Sequence, residues 1–235
     1  MQALYPTAKH LPVGDRALMV ELGTTIDPEI NRRVHQLDRA ISQARIPGVE
    51  ECVPTYRSIL VYYDPLKKSY ERLVFELKDL EEKLDELTGS TQKKAIEIPV
   101  VYGGSYGPDL DYVAEYHNLT EEEVIQLHSN REYLVYMIGF IAGFPYLGEV
   151  ADEIATPRLK TPRLRVPAGS VGIAEKQTGI YSYESPGGWQ IIGRTPLKLF
   201  DPEKHPPALI QPGDALKFKP IDSDTFSSLS QDQQV

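Results

Sequence analysis

Residues 158–195 read RLKTPRLRVPAGSVGIAEKQTGIYSYESPGGWQIIGRT and hold the side chains best suited to gripping an anion. Arg163 and Arg165 share a parity, so an extended segment presents both on one face. There two guanidinium forks either grip a carboxylate or phosphate or lie along a solvated edge. Arg194, just before Thr195-Pro196, is a third anion contact, and Gln177 is a polar candidate beside it. In the SPGGWQ turn, Gly187 and Gly188 lack a Cβ and let backbone amides come close to a ligand or partner. Trp189 is either the apolar wall of that pocket or part of the core, and Tyr146 and Gln190 are assigned to the same pocket or partner-facing surface. Tyr181 is assigned to the core. No catalytic group is identified. No serine stands in a G-x-S-x-G elbow. The histidines, His10, His35, His117, His128 and His205, are scattered without metal-ligand spacing, so no metal site is expected. The glycine-rich run GGSYGP at 103–108 lacks the Gly-Lys-Ser/Thr of a Walker loop and reads as a plain turn.

The elements that position these residues follow from punctuation and period. Gly and Pro are too frequent across 158–195 for a helix, and the strand-sized runs 170–174, 179–183 and 189–192 between the turns point to a β-barrel or sandwich. Upstream, residues 17–22 form a strand. Asp27 caps a helix with Pro28 in its first position, and Ile30, Val34, Leu37, Ile41 and Ala44 line its apolar face until Pro47-Gly48 stops it. Runs 49–55 and 58–63 form a hairpin. A second helix starts near Ser69 and repeats Tyr70, Leu73, Leu77, Leu80, Leu84 and Leu87 at threes and fours, too briefly for a coiled coil, so it packs on its own sheet. The order predicts an α+β sandwich of ferredoxin-like type over residues 1–92, its last strand supplied from Ile96 onward, with a linker at 88–94. Residues 93–221 then form an all-β barrel. Its first strand is 96–102, and a small helical insertion follows: a piece over 109–116 and a helix capped by Thr120 and Glu123 that runs through His128. An apolar strand at 133–140 and strands near 197–200, 208–210 and 215–220 complete it. Residues 222–235 read as a disordered tail.

Composition narrows the function. A chain of 235 residues with 41% hydrophobic residues builds a conventional soluble core, and a net charge of −9 leaves no basic surplus for nucleic acid. No apolar run approaches the roughly 20 residues of a membrane span, and the start lacks a secretory signal, so a cytoplasmic protein is expected. The single cysteine, Cys52, excludes an internal disulfide framework and reads as a buried strand residue.

At GDRALMVELG, PTYRSILVYYDP, IPVVYGG with GPDL, GFPYLG, TPRLRVPAGSVGIA, QTGIY, SPGGWQIIGRTP and PGDALKFKPI, the sequence resembles a known family. This is the allophanate-hydrolase subunit 1 group, which includes the B subunits of bacterial 5-oxoprolinase and the sporulation-kinase inhibitor KipI. The resemblance spans nearly the whole chain and implies a cyclophilin-like barrel behind an α/β domain. It implies partners as well: a C subunit (KipA-like), an A subunit and ATP with Mg at the level of the complex, which together open 5-oxo-L-proline to L-glutamate. ATP suits this chemistry, because phosphorylating the carbonyl oxygen of an unstrained lactam activates its carbon toward water. The alternative the family offers is regulatory, binding a sensor histidine kinase through the barrel and blocking its autophosphorylation. Three residues depart from the family pattern: Ala142 and Ser182, where proline is usual, and Glu175, where glycine is usual.

Overall fold

The computed structural model describes residues 3–84 and 95–232; the expected linker at 88–94 and the last heptad leucine, Leu87, lie outside the described residues. The chain divides into two compact units, Met1–Gln92 and Lys93–Val235.

The first unit contains β1 (Leu4–Val13), β2 (Ala17–Gly23), α1 (Pro28–Ala44), β3 (Val49–Pro54), β4 (Ser58–Tyr63) and α2 (Tyr70–Glu82). The Asp27 carboxylate accepts the Glu29 and Ile30 N–H groups at 2.8 and 3.1 Å, which satisfies two of the donors a helix start leaves open. Leu73 and Leu77 of α2 are fully buried in the same core as Ile30, Val34 and Leu37 of α1, so the heptad-like stripe packs within its own unit. The four strands are antiparallel in the order β1-β2-β4-β3. This corrects the expected source of the last strand: Leu4–Val13 fills the edge beside β2, and the strand at Ile96 goes elsewhere. β1 escaped notice because it is an edge strand with Pro6 and Pro12 and mostly exposed side chains, leaving no apolar alternation to read.

The second unit is a closed seven-stranded barrel with helices added. Its strands, in chain order, are β5 (Ile96–Tyr102), β6 (Glu132–Ile138), β7 (Pro145–Leu147), β9 (Ser170–Ala174), β10 (Gln177–Ile180), β12 (Gln190–Arg194) and β13 (Ala215–Pro220). They close as β10-β7-β6-β13-β5-β12-β9, with β10 returning to β9. Only the β13–β5 pairing is parallel. Ile98, Val135, Ile173, Ile192, Leu216 and Phe218 fill the interior, each burial stabilising by about 1.5–3 kcal/mol. Between β5 and β6 stand α3 (Leu110–His117) and α4 (Glu121–Ser129), the latter with the reciprocal Thr120–Glu123 capping box its sequence predicts.

His128 anchors α4 inside the barrel. The Thr178 hydroxyl donates to Gly172 O, so the imidazole Nε2–H donates to Thr178 at 2.9 Å and Nδ1 accepts the Tyr102 hydroxyl at 2.8 Å. Burial pushes this imidazole down to about 3, so it is neutral at ordinary pH.

Two terminal expectations change. The runs near 197–200 and 208–210 contribute only a single bridge, Phe200 to Ala208. The expected disordered tail holds α5 (Ser223–Asp232), capped by the Asp222 carboxylate on Thr225 N–H at 2.8 Å and packed by Phe226 against Tyr106 at 4.8 Å. Its Asp-x-x-Thr start was the missed signal.

Candidate functional site

Arg163 lies on β8 (Arg163–Val166), which pairs with β11 (Ser185–Gly187) as a two-stranded antiparallel ribbon. This ribbon, the segment before it, the loop after β6 and β7 line a cleft of about 520 Å³. Its wall is aromatic. Phe144 meets Tyr146, Tyr181 and Trp189 at centroid separations of 4.8, 5.2 and 5.5 Å, the last two edge-to-face. Trp189 is 6% exposed, so it is both core and wall. Tyr181 is buried as expected and also lines the cleft. Burial raises the phenol pKa of Tyr146 and of Tyr181, keeping both as neutral hydroxyls near neutral pH.

Of the residues singled out from the sequence, Tyr146, Gly187, Gly188 and Trp189 converge on this cleft. Gly187 has a packing role as well. A Cβ on Gly187 would stand 2.2 Å from the Tyr181 hydroxyl oxygen, so this glycine makes room for an aromatic ring. Gly188 accepts the Leu159 N–H through its carbonyl at 2.7 Å and fastens the preceding segment. Gln190 is buried, donating through Nε2 to Pro157 O at 2.8 Å.

The arginines do not gather at one point. Arg163 Nη2 is 2.5 Å from Asp109 Oδ1, and its Nη1 reaches Trp189 O at 3.4 Å. Arg165 is exposed, with Nε 3.4 Å from Glu184 Oε1. Arg194 donates through Nε to Ala168 O at 2.8 Å, and Gln177 opens β10; neither lines the cleft. Parity placed Arg163 and Arg165 correctly along one strand but could not show that the chain carries its own carboxylate for each.

Asp109 is the residue that sequence reasoning undervalued. It is 7% exposed, its Oδ2 accepts the Ile191 N–H at 2.6 Å, and its Oδ1 holds Arg163, so one carboxylate ties β12 to the ribbon. The GPDL motif was its only sequence signal. Arg158, Phe144 and Ser185 were missed as cleft residues as well. Of the departures, Ser182 Oγ donates to Ala142 O at 2.6 Å, so two of them bond each other, and Glu175 sits at φ +53°, the backbone a glycine favours.

The profile of the family described as carboxyltransferase domain, subdomain C and D, matches residues 8–210. The chain belongs to this family. Within it, the 5-oxoprolinase B subunit of Bacillus subtilis is 43% identical over 230 residues, 94% of this chain and 95% of that protein. Among solved structures, a conserved uncharacterized protein from Pyrococcus horikoshii is 51% identical, covering 93% of this chain and all of that one, with a TM-score of 0.56. Kluyveromyces lactis urea carboxylase is 21% identical with a TM-score of 0.77; it covers 98% of this chain but 24% of its own, a likeness of fold. The chain therefore combines a family match across both units with a near end-to-end relative among the 5-oxoprolinase B subunits.

Proposed function

We propose that this chain is the B subunit of an ATP-dependent 5-oxoprolinase, working in the cytoplasm with A- and C-type (KipA-like) partner subunits to hydrolyse 5-oxo-L-proline to L-glutamate. The observation that carries the reading is the likeness to the Bacillus subtilis protein, which covers 94% of this chain and 95% of that one. The aromatic cleft supports it, as a concave apolar site with few polar groups suits a small ring. We read the barrel that bears this cleft as cyclophilin-like.

The glycine-rich loop of this chain does not form a Walker-type phosphate cradle. In the 103–109 loop the N–H groups of Gly103 and Asp109 go to Ile192 O and Ile191 O, and those of Tyr106 and Gly107 to Gly103 O, so they are spent on backbone instead of a phosphate. Among the described residues no group of three or more His, Cys, Asp or Glu could hold a metal. We therefore read ATP with Mg as a requirement of the complex and expect this chain to be inactive without its partners.

The test is reconstitution. Glutamate should form from 5-oxoproline and ATP only when this chain is mixed with its A and C partners. A complete, verified complex that releases no glutamate, while the chain alone suppresses autophosphorylation of a sensor histidine kinase, would replace this reading with the regulatory one.

A further inference from the structure

The cleft has a charge preference that no residue named from the sequence explains. No acidic side chain lines it, and one cation, Arg158, does. In the same stretch Arg163 and Arg165 have their own carboxylates, Asp109 and Glu184, whereas Arg158 has no carboxylate partner among the described residues. Its guanidinium carbon lies 5.9 Å from the Trp189 ring centroid, and a guanidinium over an aromatic face keeps its N–H groups for a second acceptor. The cleft holds another unmet group: Ser185 lines it, and the Ser185 hydroxyl is buried without a hydrogen-bond partner.

We propose that this cleft is the recognition site for a small cyclic carboxylate, with Arg158 holding the carboxylate and the Trp189–Tyr146–Phe144 wall holding the ring. The inference rests on the proposed 5-oxoprolinase role for its probe, 5-oxo-L-proline, but not for its geometry. It moves anion recognition from the Arg163–Arg165 pair, which the chain has neutralised, to the one guanidinium lining the cleft. A five-membered ring leaves part of the cleft open.

Trp189 is the chain's single tryptophan, so its fluorescence reports the cleft directly. Titrating the full chain with 5-oxo-L-proline should change that signal saturably. 2-Pyrrolidinone, the same lactam without its carboxylate, should bind about ten- to a hundredfold more weakly, as should 5-oxoproline to Arg158→Gln. Arg158→Lys, which keeps the charge and loses the fork, should fall between. Arg158 is exposed, so these variants should melt like the wild type, which separates binding from folding. In the reconstituted complex the Arg158→Gln loss should appear as a raised KM.

Equal affinity for the two lactams, or Arg158→Gln with unchanged affinity and KM, overturns the inference. Turnover by the wild-type complex with an unaltered Arg158→Gln KM sinks the site and leaves the function standing. A carboxylate-dependent signal lost in Arg158→Gln, from a complex that never makes glutamate, does the reverse.

Discussion

Both units pair most of their partly buried charges, and they differ at the cleft of the second. In the first, partly buried charges meet opposite ones: Arg57 with Glu21 at 2.7 Å and Lys68 with Glu76 at 2.6 Å. Its apolar stripes are consumed by one core. In the second, a guanidinium stands without a carboxylate at an aromatic cleft, a serine hydroxyl is buried unbonded, and Phe140 at the rim is held at φ +65° with 62% of its surface exposed. A non-glycine residue in that region of backbone space is strained. The lesson is that the first unit packs the apolar stripes of both its helices into one core. The barrel leaves several needs unmet at one place, where a ligand or partner can meet them.

Acid should separate the units most strongly. His128 has a folded pKa far below its unfolded value near 6.5, so as pH falls the unfolded barrel takes up a proton that the folded one refuses. Its penalty is absent above about pH 6.5 and grows by about 1.4 kcal/mol per pH unit toward the folded value, roughly 3 kcal/mol between pH 6 and 4. Glu29 and Glu76 of the first unit behave differently. Arg32 holds Glu29 below its usual range and Lys68 does so for Glu76, so what they contribute is present above about 4.5 and lost only below it. Denaturant melts followed at Trp189 should therefore weaken between pH 6 and 5, while the opening free energy of α1, taken from amide exchange corrected for its intrinsic pH dependence, stays constant. His128→Gln should remove the slope. A barrel whose midpoint is flat from pH 7 to 5 would show that His128 is not the group that titrates.

A second contrast uses glycine. Gly187→Ala drives a methyl into the buried Tyr181 ring and should cost about 1–3 kcal/mol as well as shift the Trp189 spectrum. Gly14→Ala, in the first unit, meets nothing within 4 Å and bears only the penalty of its φ of +64°, about 1 kcal/mol. If the two cost the same and Trp189 is undisturbed, the cleft is looser than its ring packing indicates.

Much of the scaffold was legible because it rests on local chemistry. Asp27-Pro28, Thr120–Glu123 and the Leu73/Leu77 spacing each specify a helix through contacts within a few residues. β1 and α5 were not, since an edge strand needs no alternation and a short polar helix is fixed by its cap and one ring contact. The cleft was half legible. Glycine, tryptophan and tyrosine marked where it lies, but its polar logic depends on Asp109, far from Arg163 in sequence, claiming one arginine and so leaving Arg158 as the open one. No spacing rule carries a partnership of that kind.

The smallest effect tests whether a departure from the family pattern belongs to the cleft or only to the backbone. Glu175 follows β9 with φ at +53°, its N–H bonded to Thr156 O at 2.8 Å, and its side chain exposed and outside the cleft. Arg45, which ends α1 in the first unit, has φ +46° and is also exposed. Glycine adopts this conformation without steric penalty but surrenders more chain entropy on folding, so the two terms partly offset. Glu175→Gly and Arg45→Gly should each stabilise by roughly 0.5–1 kcal/mol, since the backbone hydrogen bonds survive and no packing is lost. Equal gains in the two units, with the affinity for 5-oxoproline unchanged in Glu175→Gly, would mark residue 175 as a matter of backbone conformation alone. A gain at Arg45 with a loss at Glu175, or a change in ligand affinity, would mean that the carboxylate acts on the cleft from outside it, and the contrast between the two units would have to be redrawn to include the β9–β10 turn.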